Sequence, residues 1–432
     1  MKEKIVYIGL AADILHEGHI NILNIAKKYG TVIVGLLTDE AITTYKSLPF
    51  LSYSQREMVL KNLKMVSQVI PQKTLDYTFN LERIKPNYVV HGNDWRKGVQ
   101  QKVREKVIKV LKKWGGKLIE PDYTKNISSS LLKKNISKSG ITNEQRKLKL
   151  QRLIHTKKLV RVMEAHSGLA SLIIDNLNVY KKQEFLEFDA IWSSSLTDST
   201  LRAKPDNQSI DYSVRINSLN DILETTLKPI TFDGDNGGRL EHISYLIKNL
   251  ERIGVSAIVI EDKKGLKKNS LFKNQSESHQ ENIDEFCKKI KKAVSSKVSD
   301  DFMVIARIES FILGKSLKDA LTRAEKYSIA GADAILIHSK EKTPKEIFRF
   351  AKVFRKSRYY KPMIAVPSNY SKTYEKDLIK NGFKIVIYAN QLLRASYKSM
   401  HETAKEILMH KRSYEAEKNI TSIKDILSLI KT

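Results

Sequence analysis

Apolar positions in the first 120 residues fall in short runs separated by stretches with helical spacing. Ile5–Leu10, Val32–Leu37, Val66–Pro71, Tyr88–His91 and Lys117–Pro121 read as strands. Strand alternating with helix predicts a parallel sheet covered on both faces. Between Leu131 and Lys157 the pattern turns polar and lysine-rich, with helical spacing from about Thr142. That seam divides an N-terminal domain, residues 1–135, from a C-terminal domain, residues 158–432, with 136–157 as linker. The second half predicts strands at Val160–Ala165, Phe188–Trp192, Ile230–Phe232, Ala257–Ile260, Phe302–Ala306, Ala334–Ile337, Pro362–Val366 and Ile385–Ile387, each followed by a helix. Polar residues follow these strands one after another: Ser167, Ser194, Asp233-Gly-Asp235, Glu261-Asp262, Arg307, His338, Ser368 and Asn390. Side chains gathered at the C-terminal ends of successive strands mark a (β/α)8 barrel of the TIM type, whose active site lies on that face. The fold class is therefore α/β throughout.

Composition narrows the partners. A chain of 432 residues exceeds one ordinary core, and 41% apolar content suits globular domains. Its net charge of +28 favours anions. The lysines are spread along helices among glutamates, without an arginine-rich tail, so nucleic acid is not the expected partner. The single cysteine, Cys287, excludes a disulfide within the monomer, and the cytoplasm is the expected compartment. No apolar stretch reaches the roughly 20 residues that a membrane-spanning helix needs, and Met1-Lys-Glu-Lys-Ile has no signal-peptide pattern.

Three groups of residues carry chemistry. After the first strand, His16-Glu-Gly18-His19 opens a helix; both histidines can face a phosphate, and Gly18 lets a triphosphate approach the backbone near the positive end of the helix dipole. Asp233 and Asp235, with Glu261 from the next strand, offer oxygen donors alone, which suits Mg2+ held largely through water. Arg307 and His338, later on the same face, can grip a carboxylate or phosphoryl group, although Arg307 alone could equally pair with Glu309. Glu261-Asp-Lys-Lys-Gly-Leu-Lys-Lys-Asn269-Ser270 packs acid, base and amide into what reads as a mobile loop, the composition of a lid over a metal-bound anion.

Two resemblances sharpen this reading. Residues 4–135 resemble the cytidylyltransferase branch of the nucleotidylyltransferase superfamily, a Rossmann-like fold. The likeness rests on His16-Glu-Gly18-His19, Lys46, Arg56, His91-Gly-Asn-Asp94-Trp95 and Ile127-Ser128-Ser129-Ser130. It implies that His16 and His19 stabilise the pentavalent phosphorus while Gly18, Lys46, Arg56, Asp94, Ser128 and Ser129 hold the nucleotide. The implied reaction is attack of a phosphate or phosphonate oxygen on the α-phosphorus of CTP. Gly9-Leu-Ala-Ala-Asp13 and Lys125 depart from the usual pattern.

Residues 158–425 resemble phosphoenolpyruvate mutases of the isocitrate lyase/phosphoenolpyruvate mutase superfamily. Here the likeness rests on Met163-Glu-Ala-His-Ser167, Trp192-Ser-Ser194, Asp233-Gly-Asp235, Glu261 to Ser270, Arg307, His338 and Asn390. It implies that Asp233 binds Mg2+ while Asp235 and Glu261 orient its waters. Trp192 walls the pocket, and Ser194, Ser195 and Leu196 hold substrate. Asp206 closes over the phosphoryl group. Asn269 contacts that group in flight, its neighbours Lys268 and Ser270 bind substrate, and Arg307 and His338 anchor the phosphoryl group. The lyases' Lys-x-Cys-Gly-His segment has no counterpart, which removes their proton donor. Phosphonopyruvate hydrolase shares most of the pattern; Asn269, where a small hydroxyl could stand, favours the mutase. Asn236-Gly237-Gly238 replaces the more usual Thr-Gly-Tyr-Gly. The implied whole is a bifunctional enzyme of phosphonate synthesis acting on phosphoenolpyruvate, phosphonopyruvate, CTP and a phosphonate such as 2-aminoethylphosphonate, assembled as a homo-oligomer through the barrel.

Overall fold

The computed structural model describes residues 3–96, 100–122, 143–181, 184–265, 267–270 and 279–430. Ser128, Ser129 and Lys125 lie outside this range, as do residues 136–142 of the linker. The chain divides into two compact units. One comprises Met1–Gln145, Lys149–Val160 and Asn176–Phe188; the other comprises Arg146–Leu148, Arg161–Asp175 and Asp189–Thr432.

In the first unit, β1 (Ile5–Leu10), β2 (Thr31–Leu37), β3 (Gln68–Gln72), β4 (Tyr88–Val90) and β5 (Lys117–Ile119) form a parallel sheet in the order β3-β2-β1-β4-β5. The apolar runs of β1 and β2 are buried because helices cover both faces: Val6, Ile8, Val32 and Val34 enter one core with Leu23 and Leu60, while Tyr7 and Ile33 enter the other with Tyr77, Trp95 and Leu111. Strand order reverses at β1, so a crevice opens between the C-terminal ends of β1 and β4, the place where such sheets bind ligands. Gly9 sits at its floor; a Cβ there would strike the Tyr77 ring.

In the second unit, β6 (Val160–Glu164), β9 (Ala190–Ser193), β10 (Ile230–Asp233), β11 (Ala257–Glu261), β14 (Met303–Ile308), β15 (Ala334–Ile337), β16 (Met363–Ala365) and β17 (Phe383–Tyr388) close into a barrel. The eight strands agree with the predicted set to within two residues at most ends, and the paired registers are parallel. Two hairpins were not anticipated. The first, which belongs to the first unit, pairs β7 (Asn178–Lys181) with β8 (Glu184–Glu187), exposed enough that its alternation is weak. In the second, β12 (Lys263–Lys264) pairs with β13 (His279–Gln280), so the segment read as a loop begins as a ladder. Among the described residues no helix is long and apolar enough to cross a membrane.

Candidate active sites

The crevice of the first unit is a cavity of about 340 Å3 lined by His16, Gly18, His19, Lys46, Tyr45, Tyr77, His91 and Asp94, among others. The helix Glu17–Lys27 follows the short loop after β1, and its opening turn sets the two imidazoles side by side with ring centres 4.0 Å apart. The His16 backbone N–H donates to His19 Nδ1 at 3.4 Å. With Nδ1 accepting, a neutral His19 carries its proton on Nε2, ready to donate to an anion. Burial lowers the pKa of both histidines, and His16 and Lys46 help push His19 down to about 4, so the pair is neutral at pH 7. His91 stacks on Trp95 with centres 3.8 Å apart. Trp95 Nε1 in turn donates to Glu120 at 2.9 Å, and Arg104 grips the same carboxylate at 2.7 and 2.8 Å.

Arg56 has another task. It is fully buried, and its guanidinium donates to Ala11 O, Leu51 O and Asp39 Oδ1, so it braces the β1 loop and does not line the cavity. A helix-opening arginine looks the same in sequence whether it points at a phosphate or at backbone carbonyls.

Glu120 also gives a pH test. Its bond to Arg104 holds its carboxyl down to about 2, against an ordinary value near 4.5. A carboxylate with a depressed folded pKa contributes stability that is present above the unfolded value and lost as pH falls toward the folded one. Glu120→Gln should therefore melt earlier than the parent at pH 6, with the gap closing between pH 4.5 and 2; thermal melts across that range check it.

In the barrel, the C-terminal strand ends surround a small cavity of about 60 Å3 lined by Trp192, Ser194, Ser195, Leu196, Asp206, Asp233, Lys267, Asn269, Ser270, Arg307, His338 and Asn390. Two segments cover it: one carries Asp206, the other Lys267 to Ser270. Asn269 Nδ2 donates to Asp206 Oδ2 at 2.6 Å, joining them. Arg307 donates through Nε to Glu309 at 2.6 Å and through Nη2 to Ser270 Oγ at 2.9 Å, with Glu261 Oε2 3.3 Å away. Arg307 thus pairs with Glu309 and also lines the pocket. His338 Nδ1 lies 2.9 Å from Arg307 Nη2, and burial together with that cation keeps the imidazole neutral. Ser270 lines the pocket, but its hydroxyl is taken up by Glu309, Lys263 and Arg307.

The lysine that enters the site is Lys267, not Lys268. The Lys268 side chain does not line the cavity, whereas the buried Lys267 ammonium donates to Ser195 Oγ and Asp235 Oδ1 and lies 3.0 Å from Asp206 Oδ1 and 4.0 Å from Asp233 Oδ2. Burial would discharge this ammonium, but the three aspartates raise its pKa well above the usual lysine value.

The three-carboxylate cluster expected at residues 233, 235 and 261 takes a different form. Among the described residues no three acidic, histidine or cysteine side chains converge as a ready metal cage. Asp233 and Asp235 turn to Lys267, and Glu261 turns to Arg307, because buried carboxylates gather the nearest cations. Burial opposes charge on Asp233, yet Lys267, Arg307 and Arg215 hold it at about 2. Glu261 is pushed up to about 7 by burial, and neither of its oxygens has a hydrogen-bond partner. Asp262, its neighbour in sequence, faces the other way to Arg323 and Tyr327. Arg215, unforeseen, is fully buried; it donates to Asp198 Oδ2 at 2.8 Å and to Asp233 O at 2.6 Å, and so steadies the Asp233–Asp235 loop from behind.

A closed parallel barrel whose strand ends gather cations and carboxylates around a small cavity has the architecture of (β/α)8 enzymes, whose active sites lie on that face. Residues 150–408 match the family model described as phosphoenolpyruvate phosphomutase, and the chain belongs to that family. Residues 7–135 match the cytidylyltransferase-like model. The chain is 34% identical over 296 residues to a phosphoenolpyruvate phosphomutase of Tetrahymena pyriformis, covering 68% of this chain and 94% of that protein. It is also 34% identical over 284 residues to a phosphonopyruvate hydrolase of a Variovorax species, covering 65% of this chain and 93% of that one. A solved structure of phosphonopyruvate hydrolase with oxalate and Mg2+ superposes with a TM-score of 0.58 at 31% identity, covering 67% of this chain and 95% of the other.

Proposed function

We propose that the barrel interconverts phosphoenolpyruvate and phosphonopyruvate, and that the N-terminal unit transfers a cytidylyl group from CTP to a phosphonate. The observation that carries the first half is the bond between Asp206 and Asn269, which shuts two segments over a cavity floored by Arg307 and His338. In the forward reaction the enol O–P bond breaks and a C–P bond forms at C3 of the same molecule. A metaphosphate-like group in transit must meet the enolate carbon before water does, and a small closed cavity supports that order. Arg307 and His338 anchor the phosphoryl oxygens, the Asn269 amide donates to them in passage, Trp192 walls the enolate, and the Ser194–Leu196 turn holds the carboxylate.

The donor set fits Mg2+. Asp233, Asp235 and Glu261 supply hard oxygens, and the two Glu261 oxygens, which accept no hydrogen bond although Arg307 lies 3.3 Å from one of them, are what a cation's waters would satisfy. When bound, the ion neutralises the substrate's carboxylate and enolate oxygens. A relative whose structure holds oxalate and Mg2+ supports the assignment.

The hydrolase reading keeps one support, equal identity to the two kinds of relative. Asn269 at the lid position favours the mutase. For the N-terminal unit, the paired neutral imidazoles beside Gly18 and Lys46 support binding of a triphosphate, with the phosphonate oxygen attacking the α-phosphorus and pyrophosphate leaving.

Phosphorus NMR tests both halves. Phosphonopyruvate with protein and Mg2+ should give phosphoenolpyruvate; phosphate with pyruvate would favour the hydrolase, and an unchanged spectrum would overturn both. CTP with 2-aminoethylphosphonate should give pyrophosphate and a mixed anhydride, and free phosphonate alone would count against transfer to that acceptor.

A further inference from the structure

The loop that departs from the usual pattern, Asp235-Asn236-Gly237-Gly238, has a second use in the fold. Asp235, Gly237 and Gly238 all take left-handed backbone, with φ of 48°, 77° and 69°. For Gly237 this is compulsory twice over, since a Cβ would also press on Ile260 at 3.0 Å. The turn is pinned from outside: Lys289 Nζ donates to Asn236 O at 2.7 Å, and Gly237 N donates to Gly234 O at 2.8 Å.

Held this way, the half-buried Asn236 side chain reaches both segments that cover the barrel cavity. Its Oδ1 accepts from Gln208 Nε2 at 2.9 Å and from Gly238 N at 3.0 Å, and its Nδ2 donates to Gly265 O at 3.0 Å. Gln208 lies two residues from Asp206 and Gly265 two from Lys267. One amide therefore bonds, at a point away from the Asp206–Asn269 contact, to both covering segments and to the loop carrying Asp233 and Asp235. A residue offering both a donor and an acceptor is needed, because one segment presents an amide N–H and the other a carbonyl.

We propose that Asn236 is a positioning residue that clasps the two covering segments to the Asp233–Asp235 loop, so that they close and open as one unit. It touches no reacting atom; it acts through Asp206, Lys267 and Asn269. The consequence for chemistry rests on the mutase reading: looser segments admit water, whose oxygen attacks the phosphorus while the C–P bond breaks and C3 takes up a proton, giving phosphate and pyruvate.

The test uses the full chain and two readouts. In amide hydrogen exchange, Asn236→Ala should speed exchange about tenfold in peptides spanning 203–210 and 261–265, the scale of one or two lost neutral hydrogen bonds. Gln208→Ala should also speed exchange in 261–265, to which its link is Asn236. Asn236→Asp, which keeps the acceptor and loses the donor, should loosen 261–265 more than 203–210. Change confined to 233–238, or none, overturns the proposal. In the second readout, phosphonopyruvate with Mg2+, Asn236→Ala should raise KM about tenfold and divert turnover to phosphate and pyruvate, and an unaltered product ratio with unaltered KM counts against it. If the parent leaves phosphonopyruvate intact while exchange still propagates between segments, the clasp stands and the mutase reading falls. Parent turnover with local exchange only gives the converse.

Discussion

Lys267→Ala lowers kcat for phosphonopyruvate isomerisation by about a thousandfold, whereas Lys268→Ala stays within about twofold. The two lysines are adjacent and identical in sequence terms, so the contrast isolates placement. Lys267 lies among Asp206, Asp233 and Asp235, the carboxylates that surround the cavity, while Lys268 keeps its side chain out of it. Removing the ammonium leaves three buried carboxylates without their nearest cation and makes the site more repulsive to an anionic substrate. Folding must be checked beside rate, since such a loss also destabilises. Circular dichroism at the assay temperature separates an unfolded variant from an inactive one. Equal activity of Lys267→Ala and parent would remove this lysine from the mechanism.

His16→Ala and His19→Ala each reduce CMP transfer by about a thousandfold and leave the isomerisation rate within about twofold. The expectation follows from two imidazoles 4.0 Å apart at the opening of a helix, with His19 neutral and its Nδ1 accepting from the His16 backbone, which assigns the proton to Nε2. Neutral rings entering an anion site gain basicity from the phosphates, so each can turn cationic where charge develops. Both variants are read by pyrophosphate release for the first activity and by phosphorus NMR for the second, on one preparation. Retained transfer in the double variant would remove both histidines from the mechanism, and no transfer by the parent would leave the N-terminal unit to binding or assembly.

Much of this architecture was legible because it depends on periodicity. Buried parallel strands must be continuous apolar runs, so the five-stranded sheet and the eight barrel strands stood out, and the residues just past each strand marked the face of the site. Less legible was everything decided by side-chain direction in irregular backbone. Lys267 and Lys268 could not be told apart because the covering segment has no period. Adjacent Glu261 and Asp262 face opposite sides, so only Glu261 turns to the site. Arg56 went to backbone carbonyls and Asp39, a choice set by residues distant in sequence. Arg215 gave no signal at all: an arginine in an amphipathic helix is ordinary until Asp198 and Asp233, from other elements, are seen to converge on it. The carboxylates at 233, 235 and 261 could be picked out from the chain, but their pairing with Lys267 and Arg307 depends on contacts that the sequence does not show.

In the proposed reaction the phosphoryl group moves between oxygen and carbon of one molecule without meeting water. Turnover of phosphonopyruvate with Mg2+ in water enriched in 18O measures this directly. Phosphoenolpyruvate whose phosphoryl oxygens carry no 18O is the expected product, with little free phosphate. Phosphate bearing one 18O, formed together with pyruvate as the main products, would contradict it.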